Sequence, residues 1–247
     1  RQRGKGTFVA PPDFIKAGAA QAAVGMVTTY ISDYIFPHIV RGAEAVLRAR
    51  GMGLYLSSTD NDKQREQGSL QMMMDRGVGG LIVEPTKSAE GNPNFDAFLH
   101  LENRRIPYVA INEIYLELSA PCFKVDDEKG AHMAAAHLIA AGHKRIAGFF
   151  KTDDLQGVGR LRGFLKALRE AGLPAPPERV VRYATESRRE EPARRLAEML
   201  AEPEQVRPTA VVCYNDELAI GLLETIRQAG LKVPDDISIV GFDDSML

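Results

Sequence analysis

Short apolar runs of strand type alternate with stretches of helical period along this chain, and that alternation leaves few folds open to it. Val24-Gly25-Met26-Val27-Thr28 is the first apolar run. From Phe36 the period changes: Ile39, Ala43, Val46 and Leu47 recur at helical spacing, and Gly51 follows as a stop. Gly53 to Ser57 reads as a second strand, Asp60 to Arg76 as a helix stopped by Gly77, and Gly80 to Val83 as a third strand closed by Glu84-Pro85. Phe95, Phe98, Leu99 and Leu101 mark a helix, and Pro107 to Ile111 a fourth strand. Four alternations in about ninety residues predict a parallel sheet with helices on both faces.

The rhythm then restarts. Pro121 to Val125 reads as an extended link, Asp127 to Ala141 as an alanine-rich helix, Ile146 to Phe150 as a strand, and Leu155 to Ala171 as a helix with Phe164, Leu165 and Leu168 inward. Val180 to Ala184, Pro192 to Leu200, Ala210 to Tyr214, Glu217 to Ala229 and Ser238 to Phe242 continue the pattern. The expected fold class is α/β: two doubly wound parallel-sheet lobes, meeting near residues 121–125, with a cleft between them. In such sheets ligands bind beyond the carboxyl ends of the strands.

Composition narrows the function. The 247 residues are 45% hydrophobic, enough for one or two sizeable cores. The net charge of -2 argues that the body is not itself a nucleic-acid-binding surface. Cys122 and Cys213 lie in apolar, strand-like runs with no CxxC, which fits a reducing cytoplasm. No apolar stretch approaches the ~18 residues of a membrane span. The basic start, Arg1 to Gly6, is not followed by an apolar signal core, and Ala17 to Val27 reads as linker plus first strand.

The residues just after each strand are polar and aromatic. Tyr30, Asp33, Tyr34 and Phe36 follow the first strand, Ser57 and Ser58 the second, Glu84 and Lys87 the third, and Asn112 and Glu113 the fourth. In the second half, Lys151, Asp153 and Asp154 follow one strand, with Arg160 soon after; Asn215 and Asp216 follow the next, and Asp243 and Asp244 the last. Polyhydroxyl ligands need this mixture, because carboxylates, amides and guanidinium pair with vicinal hydroxyls while aromatic faces cover the C–H side of a ring. Any one of these residues could equally be solvated loop surface; the pattern recurs on both halves.

Other chemistries fit less well. A dinucleotide site needs a glycine loop after the first strand, and Tyr30 to Tyr34 has none. Gly157-Val158-Gly159-Arg160-Leu161-Arg162-Gly163 imitates that motif but puts three residues before its last glycine, and reads instead as a helix start carrying a ligand arginine. There is no Walker A sequence and no G-x-S-x-G. His132 and His137, five apart on one helix, stand roughly 140° around it and cannot share a metal. Asp153 and Asp154 suggest helix-start solvation or ligand contact more than a glycosidase pair.

Four segments carry a resemblance to a known family. Ala136 to Ile146 (AHLIAAGHKRI), Arg160 to Phe164 (RLRGF), Tyr214 to Ala219 (YNDELA) and Val233 to Asp244 (VPDDISIVGFDD) resemble, in order, the effector domains of LacI/GalR repressors, and the likeness covers residues from about 24 to the end. Arg1 to Val9 (RQRGKGTFV) resembles the wing that closes a GntR-type winged helix-turn-helix. A GntR head on a LacI/GalR-like body is similar to the arabinose-responsive repressors, as are Thr28 to Pro37 and Gly80 to Ser88. The resemblance implies a periplasmic-binding-protein-like fold of type I and no catalysis. It also implies no cofactor beyond a small-molecule sugar effector, L-arabinose or a related monosaccharide. Operator DNA would be bound through the winged head of the full-length homodimer, without membrane contact. A sugar-binding protein of a transport system is the alternative.

Position by position, the resemblance makes Arg160, Asn215 and Asp243 sugar contacts, with Asn112 standing where the family often has aspartate. Tyr30, Asp33 and Glu84 belong to the arabinose-type pattern. The full expected effector set is Tyr30, Asp33, Tyr34, Phe36, Glu84, Asn112, Lys151, Arg160, Asn215, Asp216 and Asp243, with Arg1, Arg3 and Lys5 as DNA contacts in the wing remnant. The expected division is wing remnant 1–9, linker 10–23, first lobe 24–122 and second lobe 123–247. The family chain continues past Gly241-Phe242-Asp243-Asp244, so a fragment truncated at both ends is expected.

Overall fold

The structure, a computed structural model, describes residues 23–246. The wing remnant with Arg1, Arg3 and Lys5, and the linker up to residue 22, lie outside the described residues.

Among the described residues, the first sheet has five parallel strands in the order β2-β1-β3-β4-β5: β1 (Ala23–Thr28), β2 (Gly53–Ser58), β3 (Gly80–Val83), β4 (Tyr108–Ile111) and β5 (Cys122–Phe123). Helices α1 (Phe36–Ala49), α2 (Lys63–Asp75) and α3 (Phe95–Asn103) connect the first four. The expected alternation is thus present, with three shifts. Asp62, not Asp60, caps α2 by accepting from Arg65 N at 2.9 Å. Ala23 is already paired with Gly53, so β1 begins a residue earlier than expected. Pro121 to Val125 is more than a link: Ala110 pairs with Cys122 and Ile111 with Phe123, so β5 joins the first sheet before the chain crosses over.

The second sheet has four parallel strands in the order β7-β6-β8-β9: β6 (Ile146–Lys151), β7 (Val180–Tyr183), β8 (Ala210–Cys213) and β9 (Ser238–Val240). Helices α4 (Asp127–Ala140), α5 (Leu155–Glu170), α6 (Glu191–Leu200) and α7 (Asp216–Gln228) flank it. Side chains on a strand alternate between faces, and β6 shows what that does here. Phe149 enters the core formed with Leu196, Val211, Leu222 and Ile226, while its neighbour Phe150 enters the opposite core with Phe164, Leu168 and Val212. A strand buried on both faces needs an uninterrupted apolar run, which is why Ile146 to Phe150 lacks the polar alternation of a half-exposed strand. In the first lobe, α2 and α3 seal one face over Val27, Leu70, Met73, Val83, Phe98 and Leu101. The stripe on α1 is covered less: Phe36 is buried, but Val46 is 53% exposed.

Two glycines, Gly159 and Gly163, fix how α5 meets α4, and a third, Gly157, lets the start of α5 lie against the end of β6. A Cβ at Gly163 would lie 2.0 Å from Glu128 O, one at Gly157 2.0 Å from Lys151 O, and one at Gly159 3.1 Å from the Asp127 Cβ. The segment that imitates a nucleotide loop is therefore a helix surface pared down so that two helices touch backbone to backbone. That contact brings the start of α4 beside Arg160.

A candidate ligand-binding cleft

A cavity of about 340 Å³ opens between the two lobes at the carboxyl ends of both sheets. Pockets of roughly 300–1,000 Å³ hold small organic ligands, so this one suits a molecule at the small end of that range. The structure brings ten of the eleven expected effector residues to its wall: Tyr30, Asp33, Tyr34, Phe36, Glu84 and Asn112 from the first lobe, and Lys151, Arg160, Asn215 and Asp243 from the second. Asp216 is the exception. As the first residue of α7 it turns its carboxylate to Ser245 N, 2.7 Å away, and lies against Gly241, so it braces the segment after β9 and does not line the cavity.

On the first-lobe side, Glu84 directly follows β3 and is only 5% exposed. It accepts from Thr29 N at 2.7 Å, from the Thr29 hydroxyl at 2.6 Å and from the Asn112 amide at 2.6 Å. Burial pushes its carboxyl above the ordinary range, and these three donors oppose that rise. Asn112 reaches Glu84 from a left-handed backbone, φ 65°, which asparagine tolerates better than most residues. Position 112 holds an amide because a carboxylate there would face Glu84 with no proton to donate.

On the second-lobe side, Arg160 is 2% exposed. Its Nε lies 2.8 Å from Asp127 Oδ1, its Nη1 donates to Tyr214 O at 2.7 Å, and its Nη2 lies 3.5 Å from Asp243 Oδ1. Phe242 and Tyr214 stack on the guanidinium at 3.8 Å and 4.7 Å. Asp153 and Asp154 are not its partners: both are taken by Lys151, at 3.2 Å and 2.9 Å. Asp154 also caps α5 through Gly157 N and accepts from the Tyr214 hydroxyl. Burial raises the Asp153 carboxyl, but Lys151 and two hydrogen bonds from Thr185 outweigh it and hold the group below the usual range.

The lobes also touch each other across the cleft. Asn61 Nδ2 donates to Thr185 Oγ1 at 2.6 Å, Lys87 Nζ lies 2.5 Å from Glu186, and Leu155 N donates to the Ser88 hydroxyl at 2.9 Å. Asn61 follows β2, at the edge of the first sheet opposite β5, after which the chain crosses over, and Thr185 follows β7, an edge strand of the second sheet. Tyr34 OH donates to Asp243 Oδ2 at 2.6 Å, and Arg188 Nη1 donates to Tyr30 OH at 3.2 Å.

Sequence reading missed Thr29, Asn61, Tyr183, Arg188 and Arg189, which also line the cavity, as does Asp154. Thr29 and Tyr183 sit at strand ends, where the same rule would have found them. Arg188 and Arg189 lie beyond a 3-10 turn after β7, at Thr185–Ser187, and no spacing marks them. Among the described residues, no cluster of three or more His, Cys, Asp and Glu is placed to hold a metal ion; His132 pairs with Glu170 at 2.6 Å.

Two α/β lobes of parallel strands around a shared polar cleft give this chain the fold of a periplasmic binding protein-like domain, and residues 135–247 match that family. Over 91% of its length the fold superposes on the transcription regulator CcpA of Lactococcus lactis, covering 79% of that chain, with a TM-score of 0.77 and 25% identity. In sequence it is similar to arabinose metabolism transcriptional repressors: 59% identical over 98% of the chain to that of Geobacillus stearothermophilus, and 44% identical over 100% to that of Halalkalibacterium halodurans. The chain spans 66% of the length of each of these two relatives.

Proposed function

We propose that this chain is the sugar-sensing effector part of a bacterial transcriptional repressor, and that L-arabinose is the sugar it takes. The observation that carries the reading is the cleft itself. Glu84 and Asn112 from one lobe, and Arg160 and Asp243 from the other, surround one small cavity. A polyhydroxyl ring there gains charge-assisted hydrogen bonds from both lobes at once, so it favours the closed arrangement over the open one. The effector contacts are drawn from the ten expected residues that line the cavity, and lobe division falls at the crossover after β5. The names of the relatives favour a repressor over a transport protein and over any enzyme. The reading needs no cofactor beyond the sugar, and it places the protein in the cytoplasm as a homodimer.

Closure then changes how two subunits present their winged heads to operator DNA, and sugar binding relieves repression of genes for arabinose or pentose use. Coupling of this kind is reciprocal, so operator DNA must weaken sugar binding by the factor that sugar weakens operator binding. An electrophoretic shift assay on the full-length protein tests this. L-arabinose is expected to release operator DNA, while residues 10–247 alone, with the sequence's slight negative charge, do not bind it. Retention of operator at saturating L-arabinose contradicts the reading, as does salt-sensitive DNA binding by the body alone.

A further inference from the structure

We infer that Tyr34 is an internal competitor for the effector site: its hydroxyl holds the place on Asp243 that a ligand hydroxyl must take. This inference rests on the reading of the cleft as a sugar site and deepens it. Tyr34 OH donates to Asp243 Oδ2 at 2.6 Å, lies 3.0 Å from Phe242 O, and accepts from Asp216 N at 3.3 Å. The other oxygen of the same carboxylate faces Arg160 Nη2 at 3.5 Å. Both oxygens of Asp243 are thus engaged, although the residue lines the cavity. A ligand that uses this carboxylate must take over a position from one of the two neighbours.

The neighbours are not equally free to move. Arg160 is fixed by Asp127, by the Tyr214 carbonyl and by two aromatic faces. Displacing it would strand a buried carboxylate. Tyr34 sits on the loop between β1 and α1, and its backbone has φ 58°, a left-handed conformation that is unfavourable for a bulky aromatic residue. Asp243 is itself left-handed at φ 96°. Strain of this kind persists only while surrounding contacts hold it, and here the Tyr34 hydroxyl supplies such contacts. Tyr34 is therefore the neighbour that yields, and its bond to Asp243 stabilises the ligand-free closed form at the ligand's expense.

The test is calorimetric titration of L-arabinose into the wild-type chain and into Tyr34→Phe, which removes only the hydroxyl. Circular dichroism confirms that the variant is folded. Losing a charge-assisted hydrogen bond from the free protein alone is expected to tighten binding by about tenfold. A Tyr34 that merely supports the fold, or that contacts the sugar, gives the opposite sign, and its loss weakens binding. Saturable heat from the wild type with unchanged or weaker binding by Tyr34→Phe overturns the assignment of Tyr34 alone. Absence of heat from both proteins overturns the sugar reading and this inference with it.

Discussion

Asp127, at the start of α4, pairs at 2.8 Å with Arg160, in the first half of α5, and Arg160 lines the cleft. Arg160 therefore has two duties. It ties α5 to α4, and it turns one edge of its guanidinium toward Asp243 and the cavity. Removing one member of a buried ion pair leaves an uncompensated charge, at a cost of about 3–5 kcal/mol. Arg160→Ala is expected to lower unfolding free energy by that order in urea titration, and also to weaken sugar binding at least about tenfold. The double variant Arg160→Ala, Asp127→Ala recovers part of the stability and none of the affinity. Full stability in the single variant would show that the pair does not hold the helices.

The glycines of α5 give an independent check on the same contact. Gly163→Ala drives a methyl to within 2.0 Å of Glu128 O and 2.9 Å of His132 N, both backbone atoms that cannot swing aside. The expected loss is about 2–3 kcal/mol, typical of an overpacked interior. Gly68→Ala, in α2, meets nothing within 4 Å and is expected to stabilise by about 0.5–1 kcal/mol through helix propensity. Thermal unfolding of the two variants should move in opposite directions.

Much of this arrangement is legible in the sequence because period and punctuation are local properties. Phe149 and Phe150, adjacent on β6, signal a strand covered on both faces, and strand ends point to the cleft before any coordinate is known. The Arg160 pairing is not local. Asp127 lies 33 positions away, and only the packing of α4 on α5 joins them. Gly159 and Gly163, one helical turn apart beside Arg160, were the available signal, since small residues on one face mark a close helix contact. Asp216 misled for the converse reason. Its position after β8 fits a ligand contact, but the segment after β9 folds over it, and nothing near residue 216 announces that.

Asp153 carries a pH signature. Its carboxyl is held below the usual aspartate range, so it contributes stability at pH values above that range. That contribution fades as pH falls through the depressed folded-state value. Asp153→Asn is expected to be less stable than wild type by about 1.5–3 kcal/mol at neutral pH, the worth of a hydrogen bond to a charged group. The gap should narrow below about pH 4, where the unfolded-state aspartate protonates. Urea titrations of both proteins between pH 7 and pH 3 measure it. A gap that widens in acid would reverse the sign and refute the assignment.

Asn61 joins the lobes at the edge away from the crossover. It donates to Thr185 and accepts from Lys87 N at 3.1 Å, so Asn61→Ala breaks both the contact between lobes and the loop that presents Lys87 to Glu186. The sugar-free variant is expected to show a larger radius of gyration than wild type in small-angle scattering, and the two should converge at saturating L-arabinose. Identical sugar-free profiles would mean that this contact does not hold the cleft closed.

The central claim is that this cleft binds a monosaccharide between its lobes, and calorimetric titration of the wild-type chain beside Asp243→Ala tests it most directly. L-arabinose, in a panel of pentoses and hexoses, is expected to give saturable heat at one site per wild-type chain. Asp243→Ala should weaken it by at least about tenfold, because the carboxylate that accepts a ligand hydroxyl is gone. Absence of saturable heat with every sugar, or L-arabinose binding that Asp243→Ala leaves unchanged, would contradict the account.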